Sequence, residues 1–181
     1  MIQRILIAGQ GGQGALRIGQ MIAYTAIQKG LETTWLPSYG AEMRGGTANC
    51  SVIVSDEEIA CPMLTEADYC LVMNTPSFRK FKDMVVPGGV LVINSSMIAE
   101  KSDRQDIRTL YVPADAIADE VGNKRGVNMV MLGAYLALAG TVSLEAIYAY
   151  IDYSFQGRKA AFAEPNKELV KRGYDCAREC V

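Results

Sequence analysis

The chain has 181 residues, half of them apolar, which is enough sequence to bury the core of one domain. Its 18 basic and 20 acidic residues leave a formal net charge of -2, so composition favours neither nucleic acid nor an anionic membrane as a partner. Because the chain contains no histidine, Ser-His, Cys-His and His-metal chemistries by this chain alone are excluded.

The first predicted elements are a strand, a glycine-rich turn and a helix. An apolar run predicts a buried strand over 4–8, and apolar residues recur on one helical face over 15–29. A β-branched and aromatic run predicts a second strand over 33–36, which a proline then ends. An irregular loop is expected over 37–47, and an alternating strand over 48–55 follows it.

Strands and helices continue to alternate, and the last third of the chain is helical. Strands are predicted over 69–74, 90–94 and 109–112, with a turn at 87–89 and helices over 77–84, 113–121, 127–139, 144–153 and 165–180. This order predicts one three-layer α/β/α domain over 1–181, with a mainly parallel or mixed sheet and a Rossmann-like N-terminal half. An antiparallel pairing of the strands that contain Trp35 and Ser51 stays open.

Residues 9–14, with the sequence GQGGQG, fit the spacing G-x-G-x-x-G directly after a strand and at the start of a helix. The glycines permit a tight turn and the close approach of phosphates, while the free N–H groups of the helix start favour an anion. The alternative is a turn that serves only strand–helix or subunit packing. The candidate ligand- or interface-binding residues here are Gly9, Gly11, Gly12, Gln13 and Gly14.

A nicotinamide cofactor requires an acidic residue at the end of the second strand, where it binds the ribose. This chain has Leu36, Pro37 and Ser38 at that place. Glu32 has nearly the right separation from the turn, but it precedes the strand and is expected at the opposite edge of the sheet. The sequence therefore argues against NAD binding by this chain alone.

The segment 37–50, with the sequence PSYGAEMRGGTANC, places charged and polar side chains among glycines. Together with the 9–14 turn, it resembles the gamma subunit, or gamma-type domain, of the 2-oxoacid:ferredoxin oxidoreductases. The resemblance continues over most of the chain, at 54–56, 87–89, 94–95, 128–129 and 132–134. The run EMRGGTANC looks most like subunits of 2-ketoisovalerate and 2-oxoglutarate enzymes, without a choice between these two.

The resemblance implies a function for the chain and a set of partners. Enzymes of this family oxidatively decarboxylate a 2-oxoacid to its acyl-coenzyme A and pass two electrons to ferredoxin. Thiamine diphosphate, magnesium and the iron–sulfur clusters are then expected on alpha, beta and ferredoxin-like delta subunits, with no catalytic residue and no metal on this chain. Its own role would be structural, with coenzyme A as a candidate ligand of the glycine turn, and the isolated chain is expected to be inactive.

The loop admits two interpretations of its charged residues. Arg44 has the planar donor pair that binds a carboxylate or phosphate in a bidentate manner, whereas an ion pair between Glu42 and Arg44 would only fix the loop. We expect 39–46 to lie at a subunit interface near the active centre, because ordering its glycines costs conformational entropy that a partner surface would offset. The candidate residues are Ser38, Tyr39, Gly40, Glu42, Arg44, Gly45 and Gly46, with Asn128 added from the 128–129 run.

The remaining reactive and charged residues have simple alternatives. The five cysteines show no metal-ligand spacing, although Cys176 and Cys180, one helical turn apart, could hold a metal with help from a partner. Lys124 and Arg125 precede a helix and either meet a phosphate or form a solvated basic loop. The start of the chain lacks the pattern of a secretory signal, and no apolar run reaches the roughly 20 residues that span a bilayer, which predicts a cytoplasmic protein.

Two other classes of function stay open on the sequence alone. One is an autonomous dinucleotide-binding oxidoreductase, which would bind nicotinamide nucleotides without partner subunits. The other is a non-catalytic nucleotide-binding module, which would bind a nucleotide without turnover. The gamma subunit differs from both because it should show neither activity nor NAD binding when purified alone.

Overall fold

A six-stranded sheet organises the computed structural model, which describes residues 1–39 and 47–180. Its strands are β1 (Ile2–Gln10), β2 (Glu32–Tyr39), β3 (Thr47–Ser55), β4 (Ala67–Val72), β5 (Val85–Asn94) and β6 (Arg108–Val112). The α-helices are α1 (Ala15–Gln28), α2 (Thr75–Phe81), α3 (Ala114–Glu120), α4 (Val127–Ala139), α5 (Leu144–Ser154) and α6 (Ala163–Glu179). Short 3₁₀ helices cover Lys82–Met84, Lys124–Gly126 and Gly157–Phe162. The predicted α/β class is confirmed.

The sheet is mixed, with the strand order β2-β3-β1-β4-β5-β6. The strands β1, β4, β5 and β6 run parallel, while β3 is antiparallel to both β1 and β2. Leu36 pairs with Ser51 and Trp35 with Val52, so the antiparallel alternative is correct. In a Rossmann unit β2 would lie beside β1, but here β3 separates the two strands, and α1 crosses β3 to reach β2.

The predicted end of the second strand at Pro37 is wrong. Pro37 lies inside β2, opposite Cys50, and the strand continues to Tyr39. Because β2 is an edge strand, the N–H group that proline lacks need not be used by a second neighbour. The loop expected over 37–47 therefore loses both ends to strands, and its central part, 40–46, lies outside the described residues.

The turn predicted at 87–89 lies within β5, which begins already at Val85. The pairing of β5 with β4 shifts register between Ala67 and Tyr69, and Gly88 adopts the left-handed φ of 80° there. A glycine takes this conformation at little steric cost, so β5 accommodates an irregularity in its pairing between Val85 and Val90 and continues beyond it. The helix predicted over 77–84 also begins earlier, at Thr75. Asn74 caps this helix, α2, by accepting a hydrogen bond from the Ser77 N–H at 3.0 Å.

Successive side chains of the central strands point alternately into two separate hydrophobic cores. Ile5 and Ile7 point into the larger core, formed with α1 and α3 to α6. Leu6 and Ala8 point into the smaller core under α2. Residues Asn128–Leu136 of α4 are all buried, so this helix is part of the core. In the part of the chain that the structure describes, no helix is long and apolar enough to cross a membrane.

Candidate functional site

The glycine turn connects β1 to α1 at the carboxyl edge of the parallel strands. Two of its glycines require the left-handed region, with φ of 98° at Gly12 and 81° at Gly14. Gly14 is the N-cap of α1 and has no side chain with which to cap it. The Arg17 N–H donates to the Gly14 carbonyl oxygen at 3.1 Å, and the two N–H groups before it, at the positive end of the helix dipole, are the ones that an anion would meet.

Gln13 holds the shape of the turn from inside. Its side-chain oxygen accepts a hydrogen bond from the Gln10 N–H at 2.7 Å, and its amide nitrogen donates to the Met73 carbonyl oxygen at 3.3 Å. This connects the ends of β1 and β4, the two strands from which α1 and α2 leave toward opposite faces of the sheet. Ligands of open α/β sheets bind at such points. In this chain Gln13 therefore has an internal bonding role, whether or not it also touches a ligand.

Gly14 and Asn128 bring the N-termini of two helices together. A β-carbon built on Gly14 would lie 2.6 Å from the Asn128 Nδ2 atom and 3.1 Å from its Cβ atom. Asn128 is buried, with 7% of its surface exposed, and lies in the first turn of α4. The structure thus unites two sequence candidates that lie far apart in the chain, and it explains the need for glycine at position 14.

Two adjoining clefts open beside these helix starts and share Arg125. One has a volume of about 330 Å³ and is lined by Gly12, Gln13, Asp115, Lys124, Arg125 and Val127. The other, of about 280 Å³, adds Arg17, Asn123, Asn128 and Asn166 as polar lining and Met129, Phe155 and Phe162 as apolar lining. Cationic, amide and aromatic groups around helix N-termini suit a ligand with anionic and flat aromatic parts.

The acidic wall of the first cleft is fixed by a buried amide. Asn94, at the end of β5, is 0% exposed and donates a hydrogen bond from Nδ2 to the Asp115 carboxylate at 2.7 Å. Lys124, which lines the same cleft, lies 3.7 Å from the Asp119 carboxylate, an exposed pair that contributes little stability. Arg17 lies over the Tyr150 ring, 5.3 Å from its centroid. The cations of the clefts are therefore held loosely enough to meet an incoming anion.

Some of the remaining sequence-predicted site residues lie near the glycine turn, and others do not or lie outside the described residues. Register through β3 places Ser38 level with Ala8 and Tyr39 level with Gly9, so both lie at the sheet edge that carries the turn. Glu32 pairs with Ser55, level with Ile2, at the opposite edge as expected. Gly9 is buried, and Gly11 is exposed. The five other loop candidates lie outside the described residues: Gly40, Glu42, Arg44, Gly45 and Gly46.

Cys50, at the end of the loop sequence, is a packing residue. Burial raises the pKa of its thiol to about 12, and its Sγ atom lies 3.7 Å from the Ala15 carbonyl oxygen, to which it donates. Gly19 of α1 packs against this sulfur. A β-carbon built on Gly19 would lie 2.5 Å from the Sγ atom, so the two elements pack too closely for a side chain there. The thiol stays protonated and offers no nucleophile at neutral pH.

Sequence reasoning did not single out several polar residues in or beside the clefts, among them Arg17, Asn94 and Asp115. Arg17 and Asp115 stand in no motif, and Asn94 belongs to the 94–95 run of the family resemblance without being a site candidate there. For the last two a signal existed, because side chains that follow parallel strands meet at one edge of the sheet. For Arg17 there was none, since an arginine on a helix surface is ordinary. Lys124 and Arg125, left open between two interpretations, do line the first cleft.

Comparison with known proteins identifies the family. Residues 4–176 match the pyruvate ferredoxin/flavodoxin oxidoreductase family. The chain belongs to this family. The match covers nearly the whole chain and confirms the resemblance that the glycine turn and the 37–50 segment indicated.

Relatives in the family carry the names that the sequence favoured. The chain is 36% identical over 179 residues to the ketoisovalerate oxidoreductase subunit VorA of Methanothermobacter thermautotrophicus, covering 98% of this chain but 37% of that relative. It is 31% identical over 184 residues to the 2-oxoglutarate synthase subunit KorC of Methanothermobacter marburgensis, covering 96% of this chain and 99% of that subunit. The chain thus spans little more than a third of the first relative and nearly all of the second.

Solved structures of the family share the fold. The keto/oxoacid ferredoxin oxidoreductase gamma subunit of Geobacter sulfurreducens has a TM-score of 0.83 at 28% identity, covering 98% of this chain and 99% of that one. A 2-oxoglutarate:ferredoxin oxidoreductase of Magnetococcus marinus, solved with 2-oxoglutarate, coenzyme A and succinyl-CoA bound, has a TM-score of 0.91 at 26% identity. It covers 98% of this chain and 31% of that longer chain.

Proposed function

We propose that this chain is the gamma subunit, or gamma-type domain, of a 2-oxoacid:ferredoxin oxidoreductase. The observation that carries the proposal is the family match over 4–176, together with a KorC relative that the chain covers almost end to end. The enzyme would decarboxylate a 2-oxoacid, join the acyl group to coenzyme A and pass two electrons to ferredoxin. Ketoisovalerate and 2-oxoglutarate are the substrates named for the relatives above.

The partners in this proposal are alpha, beta and ferredoxin-like delta subunits. They would carry thiamine diphosphate, magnesium and the iron–sulfur clusters, which supply the decarboxylation and electron-transfer chemistry. Over 1–39 and 47–180, no three His, Cys, Asp or Glu side chains are grouped so as to hold a metal ion. The described residues therefore do not fit a cluster, and no step of the reaction is assigned to such a group on this chain.

The contribution proposed for this chain is to bind coenzyme A and position it. The nucleotide end of coenzyme A combines phosphates with adenine, and the two clefts combine helix N-termini and cations with aromatic walls. Coenzyme A is also present in the solved relative of Magnetococcus marinus. The phosphates would meet Lys124, Arg125 and Arg17, and the adenine ring would pack near Phe155 and Phe162.

The function is tested by purifying the chain with its native partners. We expect mass spectrometry to identify subunits of 2-oxoacid oxidoreductases in the complex, which should reduce ferredoxin only when both a 2-oxoacid and coenzyme A are present. The isolated chain should be inactive and leave nicotinamide fluorescence unchanged. NAD binding and turnover by the chain alone would instead support an autonomous dehydrogenase.

Neutralising the two cleft cations is expected to weaken coenzyme A binding by the assembled enzyme. The double variant Lys124→Ala/Arg125→Ala removes charge-assisted contacts worth about 1.5–3 kcal/mol each, which corresponds to roughly a tenfold or greater loss of affinity per contact. Titration calorimetry of the complex measures this loss. Lys80→Ala on α2, under which the smaller core lies, is the control, because it removes an exposed charge away from both clefts. Equal effects of the two changes would contradict the assignment.

A second expectation concerns Arg44, which lies outside the described residues. Arg44→Ala should leave the melting temperature of the isolated chain nearly unchanged and lower the activity of the complex or its affinity for coenzyme A. Arg44→Lys should restore little, because an ammonium group lacks the planar donor pair of a guanidinium. If Arg44→Ala destabilised the isolated chain and left the kinetics of the complex unchanged, the residue would stabilise the fold and would not bind a ligand.

The isolated chain is also expected to contain no iron–sulfur cluster. Clusters usually require four suitably placed thiolates, and Cys50 and Cys70 are buried with thiol pKa values raised to about 12. The purified, refolded chain should be colourless, without the visible absorption of an iron–sulfur cluster. Iron and acid-labile sulfide in near-stoichiometric amounts would show the expectation to be wrong.

A further inference from the structure

The last turn of α6 carries two thiols on one face. Cys176 lies within the helix and is partly buried, while Cys180 is its C-cap residue and is exposed. Residues four apart on a helix have β-carbons about 5–6 Å from each other. This spacing on α6 makes the two thiols neighbours. Burial, and then the nearby Cys180 and Glu179, raise the pKa of Cys176.

The thiol of Cys176 also opens on a cleft that no other part of the proposed function uses. This cleft lies between α3 and α6 and has a volume of about 510 Å³. Ile117 forms an apolar part of its wall beside Cys176, and the other lining residues are charged: Glu168, Lys171, Arg172, Asp175 and Glu179. A small ligand with an apolar substituent can therefore reach the sulfur and leave that substituent against Ile117.

We infer that Cys176 and Cys180 form a dithiol site for ligands whose central atom takes two sulfurs, with trivalent arsenic as the representative class. An arylarsonous acid would form two As–S bonds, break its two As–O bonds and release two waters, with both thiol protons leaving in the water. No oxidant or reductant takes part. The site is separate from the glycine turn and does not depend on the proposed oxidoreductase function.

The chemistry of the thiols favours this condensation over oxidation. Peroxide oxidation proceeds through the thiolate, whose fraction falls when the pKa of Cys176 is raised. Condensation with an arsonous acid consumes the thiol form and returns water. Since the sulfurs share one helical turn, closing the second bond is intramolecular, and binding through both sulfurs can exceed binding through one by about 10²–10⁴-fold.

The test uses the reduced full chain and one equivalent of phenylarsine oxide. Intact-mass spectrometry should find one arsenical per chain that an excess of 2-mercaptoethanol leaves in place and dithiothreitol removes. Cys176→Ser and Cys180→Ser should each lose this resistance, with binding weakened by about 100-fold or more. Cys61→Ser, which removes an exposed thiol elsewhere in the chain, is the matched control and should behave like the wild type.

Two results would overturn the inference. In the first, 2-mercaptoethanol strips the arsenical from the wild type, which would mean attachment through one sulfur. In the second, Cys61→Ser loses the resistance while Cys180→Ser keeps it, which would locate the site elsewhere. Because Cys180 is exposed at the helix end, its serine variant should fold normally, and far-ultraviolet circular dichroism checks this.

Discussion

Gly173→Ala is expected to lower the free energy of unfolding by about 3 kcal/mol, although alanine is the better helix former. The added β-carbon would lie 1.9 Å from the Val130 carbonyl oxygen and 2.7 Å from the carbon of that carbonyl. On the facing helix, Gly133 has the reciprocal contact, 1.9 Å from the Val170 carbonyl oxygen. Backbone atoms cannot rotate away as a side chain does, so α4 and α6 would have to separate.

The magnitudes decide the sign of this prediction. Helix propensity favours alanine over glycine by about 1 kcal/mol, whereas overpacking a core costs typically 1–3 kcal/mol and occasionally more. Here the contact is with backbone inside the larger core, so we expect an overpacking cost of about 4 kcal/mol, above the typical range, which leaves a net loss of about 3 kcal/mol after the propensity gain. For a chain of this size the loss corresponds to a fall in melting temperature of roughly 6–12 °C.

Urea unfolding of the isolated chain measures the effect as a lower midpoint with an unchanged m-value. Gly126→Ala is the comparison, because its added β-carbon would meet the Leu169 Cδ1 atom at 2.1 Å, the movable end of a side chain. It should lose clearly less stability than Gly173→Ala. A stabilised Gly173→Ala variant would mean that propensity prevails and that the two helices tolerate separation.

Gly14→Ala is the second large effect that we expect, with a loss of about 2–4 kcal/mol. The φ of 81° at this residue costs a non-glycine residue about 1–2 kcal/mol. The β-carbon would in addition displace the buried Asn128 side chain, whose Nδ2 atom it would approach to 2.6 Å. Both costs arise at the junction of α1 and α4, so the assembled enzyme should also lose affinity for coenzyme A.

Gly30→Ala separates the two costs. Gly30 has nearly the same φ, 78°, but an added β-carbon would meet nothing within 4 Å. Its substitution should cost only the backbone term and leave coenzyme A binding unchanged. The double variant Gly14→Ala/Asn128→Ala should recover part of the lost stability, because it removes the amide that blocks the β-carbon. Equal losses for Gly14→Ala and Gly30→Ala would mean that the Asn128 contact imposes no constraint.

Much of the fold follows from local sequence pattern. The helix α4 has both bounds that the apolar run 127–139 predicts, and the strand–turn–helix unit around 9–14 lies where the glycine spacing placed it. These predictions succeed because each depends on residues close together in the chain. The family resemblance depends on the same local runs, which is why the comparisons confirm it.

The errors in the predicted strands have one physical cause. The neighbours of a strand in the sheet cannot be inferred from the strand's own residues. Pro37 ends a strand in isolation but is tolerated in β2, because that strand proves to be an edge. The run 87–89 predicts a turn, yet these residues lie inside β5, at an irregularity in its pairing with β4. The roles of Arg44 and Glu42 stay predictions, since they lie outside the described residues.

The sequence by itself determined the α/β class, the glycine turn and the family of this protein, because these depend on periodicity and on contiguous motifs. Only the tertiary structure decided that β3 separates β1 from β2, that Asn128 lies so close to position 14 that only glycine fits there, and that Gly133 and Gly173 permit α4 and α6 to meet. Each of these depends on contacts between residues distant in the chain. Such contacts are selected by the packing of the whole core, which no local pattern records.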